Sequence, residues 1–219
     1  MRKELLLVAL PALMCCSGDV EYPPIKPQLM EALESHVKSK AQRPEDFIVS
    51  SYKNRNVVFL GETHRIRQNA ELVQRMIPVL YVNGIYNLCT EFARREDQPL
   101  IDSLLTGDGW DEGLAREIAF RFSPMWGYRE YIDIFKAAWK VNSGLSAGER
   151  RFRIFGLNDS PDSSPAVDNK DNGRGRFLAS VEGGGGEEHW FRVLSSIIRV
   201  PGEKAIVYCG IYQALTEYK

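Results

Sequence analysis

The stretch Asn56-Val57-Val58-Phe59-Leu60-Gly61-Glu62-Thr63-His64 decides how this chain is read. Four apolar, strand-favouring residues run into a glycine, then a carboxylate and, two residues on, an imidazole. An uninterrupted apolar run ended by glycine predicts a buried strand of a parallel sheet, because such strands are covered on both faces. Gly61, lacking a Cβ, is expected to let the chain turn sharply as it leaves the strand. Glu62 and His64 then fall at the carboxyl end of that strand, where open α/β sheets bind their ligands. A carboxylate beside an imidazole can share acid–base work, orient a water or bind a metal. Taken alone, G-E-x-H is equally a strand-end loop with two solvated side chains, since the pattern is only four residues long.

Further strands are expected at 85–91, ending on Glu91; at 152–157, followed by Asn158 and Asp159; and at 204–209, running into Gly210-Ile211-Tyr212-Gln213. Apolar residues at helical spacing predict helices at 29–40, 68–82 (kinked near its end by Pro78), 97–105, 113–122, 127–142 and 187–200. The plainest is 127–142, with Tyr128, Tyr131, Ile132, Phe135, Ala138 and Trp139 on one face. An aromatic stripe at this spacing reads as core rather than as a ligand box. Residues 160–176 read as a long loop or lid, and Gly183 to Gly186 as a hinge without the Lys-Ser/Thr of a phosphate loop. His36 reads as a surface residue of its helix, and His189 beside Trp190 as a packing or surface residue.

Strands alternating with helices predict an α/β fold, a mostly parallel β-sheet with flanking helices and right-handed crossovers. Glu62, His64, Glu91, Asp159 and Gln213 all end or follow strands, so they can converge on one edge of that sheet. Convergence favours a site over several independent surface accidents.

The chain has 219 residues, enough for one domain with a sizeable core. It carries 28 basic and 29 acidic residues for a net charge of -1, and no basic stripe calls for a nucleic-acid partner. Residues 1–16 read as a lipoprotein-type signal: Arg2 and Lys3 precede an apolar run from Leu5 to Met14, about half the roughly 20 residues of a spanning helix. Cys16 is the expected lipid-bearing residue, so the protein is expected to be exported and anchored to the membrane of a bacterial cell envelope, with plain periplasmic or secreted release as the alternative. Proline-rich residues begin a tether and N-terminal helix at 17–44, and 45–219 form the α/β domain. Only Cys89 and Cys209 remain for the fold. Both read as small buried thiols, with a disulfide between them open to an exported chain.

VVFLGETH at 57–64, the strand-end glutamate of CTEF at 89–92 and IVYCGIYQA at 206–214 together resemble a superfamily. It gathers erythromycin esterase-like proteins, ChaN-type haem-binding lipoproteins, the TraB group and the Tiki proteases. The resemblance covers about 45–219 and implies that Glu62, His64 and Glu91 carry the chemistry, as catalytic groups or as ligands of a divalent metal. Asp159, Tyr212 and Gln213 would complete the ligand or cofactor shell. Family members close the site with a second G-x-x-H, which here reads Gly210-Ile211-Tyr212-Gln213. Glutamine is no base near neutral pH and a poor transition-metal ligand. Family domains also continue past the position of Lys219, so the domain reads as incomplete there, with an uncovered sheet edge open to a homo-oligomer. Two functions from different classes follow. One is an exported hydrolase of an ester or amide, working through His64 with metal assistance available. The alternative is a ChaN-like haem- or iron-binding lipoprotein, with a non-catalytic envelope protein as a third reading.

Overall fold

The computed structural model describes residues 24–158 and 187–215. The chain divides into two compact units, one reaching to Gln42 and one from Arg43 onward. In the first, helix α1 (Pro27–Lys40) starts on a proline, whose missing N–H costs nothing at that position, and ends with Lys38 and Lys40. Leu29, Met30, Leu33 and Val37 lie exposed along it, and His36 is exposed as its neighbours predict.

The second unit opens with α2 (Pro44–Ser51), a helix that apolar spacing does not predict because only eight residues carry it. Pro44 presets its first turn, Glu45 and Asp46 lie at its positive end, and Ile48 is buried. Its last residue leads to Tyr52, whose phenol donates to the Ala205 carbonyl at 3.0 Å.

Four strands follow among the described residues: β1 (Val57–Glu62), β2 (Asn87–Arg94), β3 (Arg153–Asn158) and β4 (Ala205–Gly210). All are parallel, in the order β1-β4-β2-β3. Val57, Ala205, Asn87 and Arg153 stand in one row across the sheet, and Glu62 is level with Gly210. The last strand of the described chain thus slots between the first two, and its six residues are all buried. Side chains alternate between faces. Val58, Leu60, Leu88, Ile154, Ile206 and Tyr208 pack against α3 (Arg67–Val82) and α6 (Arg129–Ser143). Val57, Cys89, Phe155, Val207 and Cys209 meet Trp190, Val193, Leu194 and Ile197 of α7 (Glu187–Ile198). The remaining helices are α4 (Gln98–Thr106), α5 (Glu112–Phe122) and the single turn α8 (Ile211–Ala214). No described helix is long and apolar enough to cross a membrane.

The structure therefore has the expected α/β architecture, and it corrects several details. Gly61 does not turn the chain: it lies inside β1, where a Cβ would collide with Ala214 and Ile211 of α8. Glycine is needed there for close approach, not for a left-handed turn. Helix α3 ends at Val82 with Pro78 inside it, as expected, and begins one residue earlier, at Arg67. Strand β2 starts at Asn87 rather than 85 and continues past Glu91 to Arg94. Its pairing with β3 shifts between Thr90 and Arg94, which carries the Arg94 carbonyl over Gly156. The Gln98 side chain fills the resulting gap in the ladder, donating to the Ile154 carbonyl at 2.8 Å and accepting from the Gly156 N–H at 3.2 Å. Cys89 and Cys209 are both free and buried, the small buried thiols that the sequence reads them as, and burial pushes each thiol up to about 12. The expected lid at 160–176 and hinge at 183–186 lie outside the described residues.

Asn142 ties α6 to the start of β3. Its amide donates to the carbonyls of Leu105 (3.2 Å) and Phe152 (2.9 Å), and its oxygen accepts from the Phe152 N–H at 2.7 Å. Replacing Asn142 by Ala strands these buried backbone groups and should lower stability by about 2–4 kcal/mol. A urea midpoint unchanged from that of the parent chain would refute this role.

Candidate functional site

The site forms at the carboxyl ends of β1 and β4, beside Glu91 of β2. Glu62 closes β1 and is 2% exposed, a placement that a carboxylate tolerates only when fully hydrogen-bonded. Its Oε1 accepts from the Tyr131 phenol at 2.6 Å and lies 2.9 Å from His64 Nδ1, while Oε2 accepts from the Tyr208 phenol. Tyr131 comes from α6 and Tyr208 from β4. Burial, followed by the charge and hydrogen bonds of Glu62, pushes both phenols well above the ordinary tyrosine range. They remain donors.

His64 is two residues beyond the strand. Its side chain is 42% exposed although one edge is held by Glu62. The Trp126 ring meets it edge-on at 4.6 Å between centroids, and Phe92 does so at 5.9 Å. The next residue, Arg65, has φ +64°, a left-handed conformation that costs a side chain on the order of 1 kcal/mol or more. Backbone strain thus sits beside the imidazole, and the Arg65 guanidinium lies 6.0 Å from the Trp126 ring.

Glu91 is buried on β2 and accepts from the Gly210 N–H at 2.7 Å. Burial pushes its carboxyl up to about 7, helped by the like charge of Glu62 and opposed by the Gly210 N–H and by His64. Gly210, the last residue of β4, lies between Glu91 and His64. A Cβ there would strike Gln213 Oε1 and His64 Cε1 and lie 3.1 Å from His64 Nε2, so glutamine and imidazole both crowd one glycine. Gln213 and the 70% exposed Tyr212 belong to α8, the turn that also covers Gly61.

The structure therefore brings Glu62, His64, Glu91 and Gln213 together and puts Tyr212 on the rim. Asp159 and Cys16 lie outside the described residues. At the end of β3 the described residue is Asn158, 4% exposed, with no hydrogen-bond partner for its Oδ1 among the described residues. The expected metal set of Glu62, His64 and Glu91 is not assembled. Among the described residues no three His, Cys, Asp or Glu side chains are placed to hold a metal ion. Both oxygens of Glu62 are committed to phenols and Nδ1, and Glu91 faces a backbone N–H. His189 is half-buried on α7, its Nδ1 3.4 Å from Arg95 Nη1, in keeping with a packing role. A cleft of about 570 Å³ between α3 and α6 is lined by Arg75, Arg129, Lys136 and Lys140 and shares no residue with this site.

Apolar spacing does not single out Tyr131, Tyr208, Trp126 or Phe92. Their rings belong to the core, and only the tips of the two tyrosines carry a polar function. No local signal separates such a phenol from any other tyrosine in an aromatic stripe.

With this geometry in view, comparison with known proteins is specific. The family model described as haem-binding uptake, Tiki superfamily, ChaN matches residues 48–156, which include Glu62, His64, Glu91, Trp126 and Tyr131. The chain belongs to the ChaN/Tiki superfamily. No curated protein matches it. Among solved structures, RRSP, a MARTX toxin effector domain from Vibrio vulnificus CMCP6, is similar at 18% identity and a TM-score of 0.52, over 78% of this chain and 31% of that one. That likeness concerns the fold, and this chain spans less than a third of the toxin chain. ChaN of Campylobacter jejuni, solved with cofacial haem binding, matches at 13% identity and a TM-score of 0.49, over 80% and 78% of the two chains. The type III effector HopBA1 matches at 17% and 0.46, over 78% and 73%. With TM-scores below 0.5, the last two add nothing to the fold assignment.

Glu91 makes stability depend on pH. Its folded-state carboxyl is raised from 4.5 to about 7, so the folded chain holds a proton that the unfolded chain has lost in this interval. Its contribution is complete below 4.5 and is lost as pH rises through about 7, by on the order of 3 kcal/mol at most. Urea midpoints at about pH 5 and pH 8 should fall with rising pH in the parent chain, and the fall should shrink in Glu91→Gln. An identical fall in both would rule out Glu91 as its source.

Proposed function

We propose that this protein binds haem, with His64 Nε2 as an iron ligand. The observation that carries the reading is the half-exposed imidazole whose Nδ1 is held by a buried, doubly anchored carboxylate. A hydrogen-bonded carboxylate behind a ligating histidine fixes the ring and raises its basicity, the arrangement metal-ligating imidazoles favour. The donor set would fit haem, whose iron already has its porphyrin nitrogens, because one histidine would be enough to hold it. A bare divalent ion would need the three-ligand cluster that the described residues do not supply. Trp126 flanks the imidazole, while Tyr212 and Ile211 are exposed on the neighbouring turn and offer a phenol oxygen and apolar cover. Haem, when bound, would supply the iron and its redox chemistry; the chain supplies the ligand and the walls. Gln213 beside His64 supports binding over turnover, since an amide is neither base nor acid near neutral pH. The superfamily's haem-uptake description agrees with the reading. In this proposal the chain is exported through residues 1–16 and held at a membrane through a lipid on Cys16.

Haem titration followed by absorbance tests the reading. A saturable Soret shift is expected, weakened at least tenfold in His64→Ala, with Tyr212→Phe showing whether the phenol contributes. A folded parent chain that gives no shift would end the haem proposal.

One observation favours a second reading, acid–base hydrolysis of an ester or amide. Glu91, raised to about 7 and interacting with His64, is suited to donate a proton while His64 Nε2 accepts one. In that case a panel of esters should show turnover with a pH limb near 7 that Glu91→Gln removes and with loss of activity in His64→Ala. Turnover unaffected by His64→Ala would discard it.

A further inference from the structure

Hydrogen-bond direction around Glu62 determines which nitrogen of His64 carries the proton. An ionised carboxylate only accepts, and each of its oxygens here receives a phenol O–H: Tyr131 on Oε1, Tyr208 on Oε2. The contact left to His64 Nδ1 must then be donated by the ring, which leaves Nε2, on the edge that faces Gly210, as the unprotonated nitrogen. We propose that Tyr131 and Tyr208 are positioning residues that set the tautomer of His64 through Glu62, presenting an unprotonated Nε2 lone pair to the site.

The two phenols are built for this task. They reach the carboxylate from different elements, so together they hold both of its oxygens and fix the plane it offers to the imidazole. Their rings cannot swing away. Phe92 packs edge-on against both, 4.8 Å from Tyr131 and 5.2 Å from Tyr208 between centroids, and the two tyrosine rings stack at 6.4 Å. Tyr131 is 6% and Tyr208 1% exposed, so no water competes freely for the phenol protons. Trp126 and Phe92 hold the imidazole from the other side. Without the phenols, Glu62 can rotate, its bond to Nδ1 loosens, and the ring regains the Nε2–H form that a free imidazole populates.

The inference does not depend on whether the ligand is haem or an ester, and its test uses neither. The full chain is labelled with ¹⁵N-histidine, and the ring nitrogen shifts of neutral His64 are recorded in the parent, Tyr131→Phe and Tyr208→Phe, with His64→Gln to assign the signals. The parent should show a protonated Nδ1 and a bare Nε2. Each Tyr→Phe chain keeps its ring packing and should raise the Nε2–H fraction about three- to tenfold, the size of one hydrogen bond's net contribution. Thermal melts identify any variant that does not fold, and either folded variant suffices. Protonation of Nε2 in the parent would overturn the proposal, as would an unchanged tautomer in a folded variant.

Discussion

A carboxylate that is 2% exposed can persist only if every lone pair facing the interior finds a donor, and the end of the sheet is organised around meeting that demand for Glu62. The donors come from three places far apart in the chain: His64 just beyond β1, Tyr131 on α6 and Tyr208 on β4. Meeting one acidic side chain's needs therefore binds the first strand, a central helix and the last strand to each other. The same network gives the imidazole its orientation.

Strand order makes that network possible. Because β4 lies between β1 and β2, its carboxyl end delivers Gly210 to Glu91 on one side and Tyr208 to Glu62 on the other. Glycines let the backbones meet. Gly61 admits α8 against β1, Gly210 leaves space for His64 and Gln213, and Gly156 lets the shifted β2 backbone pass. A methyl group at any of the three would push apart elements that the site needs in contact.

Within this arrangement the two acidic residues differ in kind. Glu62 is surrounded by donors that hold it as an acceptor. Glu91 has one backbone donor and an environment dominated by burial, which leaves it near the point of gaining a proton at neutral pH. Two carboxylates in one site, set apart by their surroundings, can take different roles. Gln213 stands by Gly210 beside His64, so the position where the family resemblance implies a second histidine carries an amide that does not titrate near neutral pH.

The sequence by itself determined the α/β class, the four strands and the gathering of Glu62, His64, Glu91 and Gln213 at their ends. These follow from local pattern: apolar runs long enough to be strands, helical spacing between them, and polar residues where the runs stop. It could not separate Gly61 as a contact from Gly61 as a turn, because both need the same missing Cβ. Nor could it predict the continuation of β2 past Glu91, which depends on a shifted pairing with β3 and on the side chain of Gln98. Tyr131 read as core and its ring is core; only its hydroxyl, brought to Glu62 by the packing of α6, belongs to the site. Which nitrogen of His64 is left bare was decided by tertiary structure alone, because hydrogen-bond direction is set by partners 67 and 144 positions further along the chain, and no local pattern encodes them.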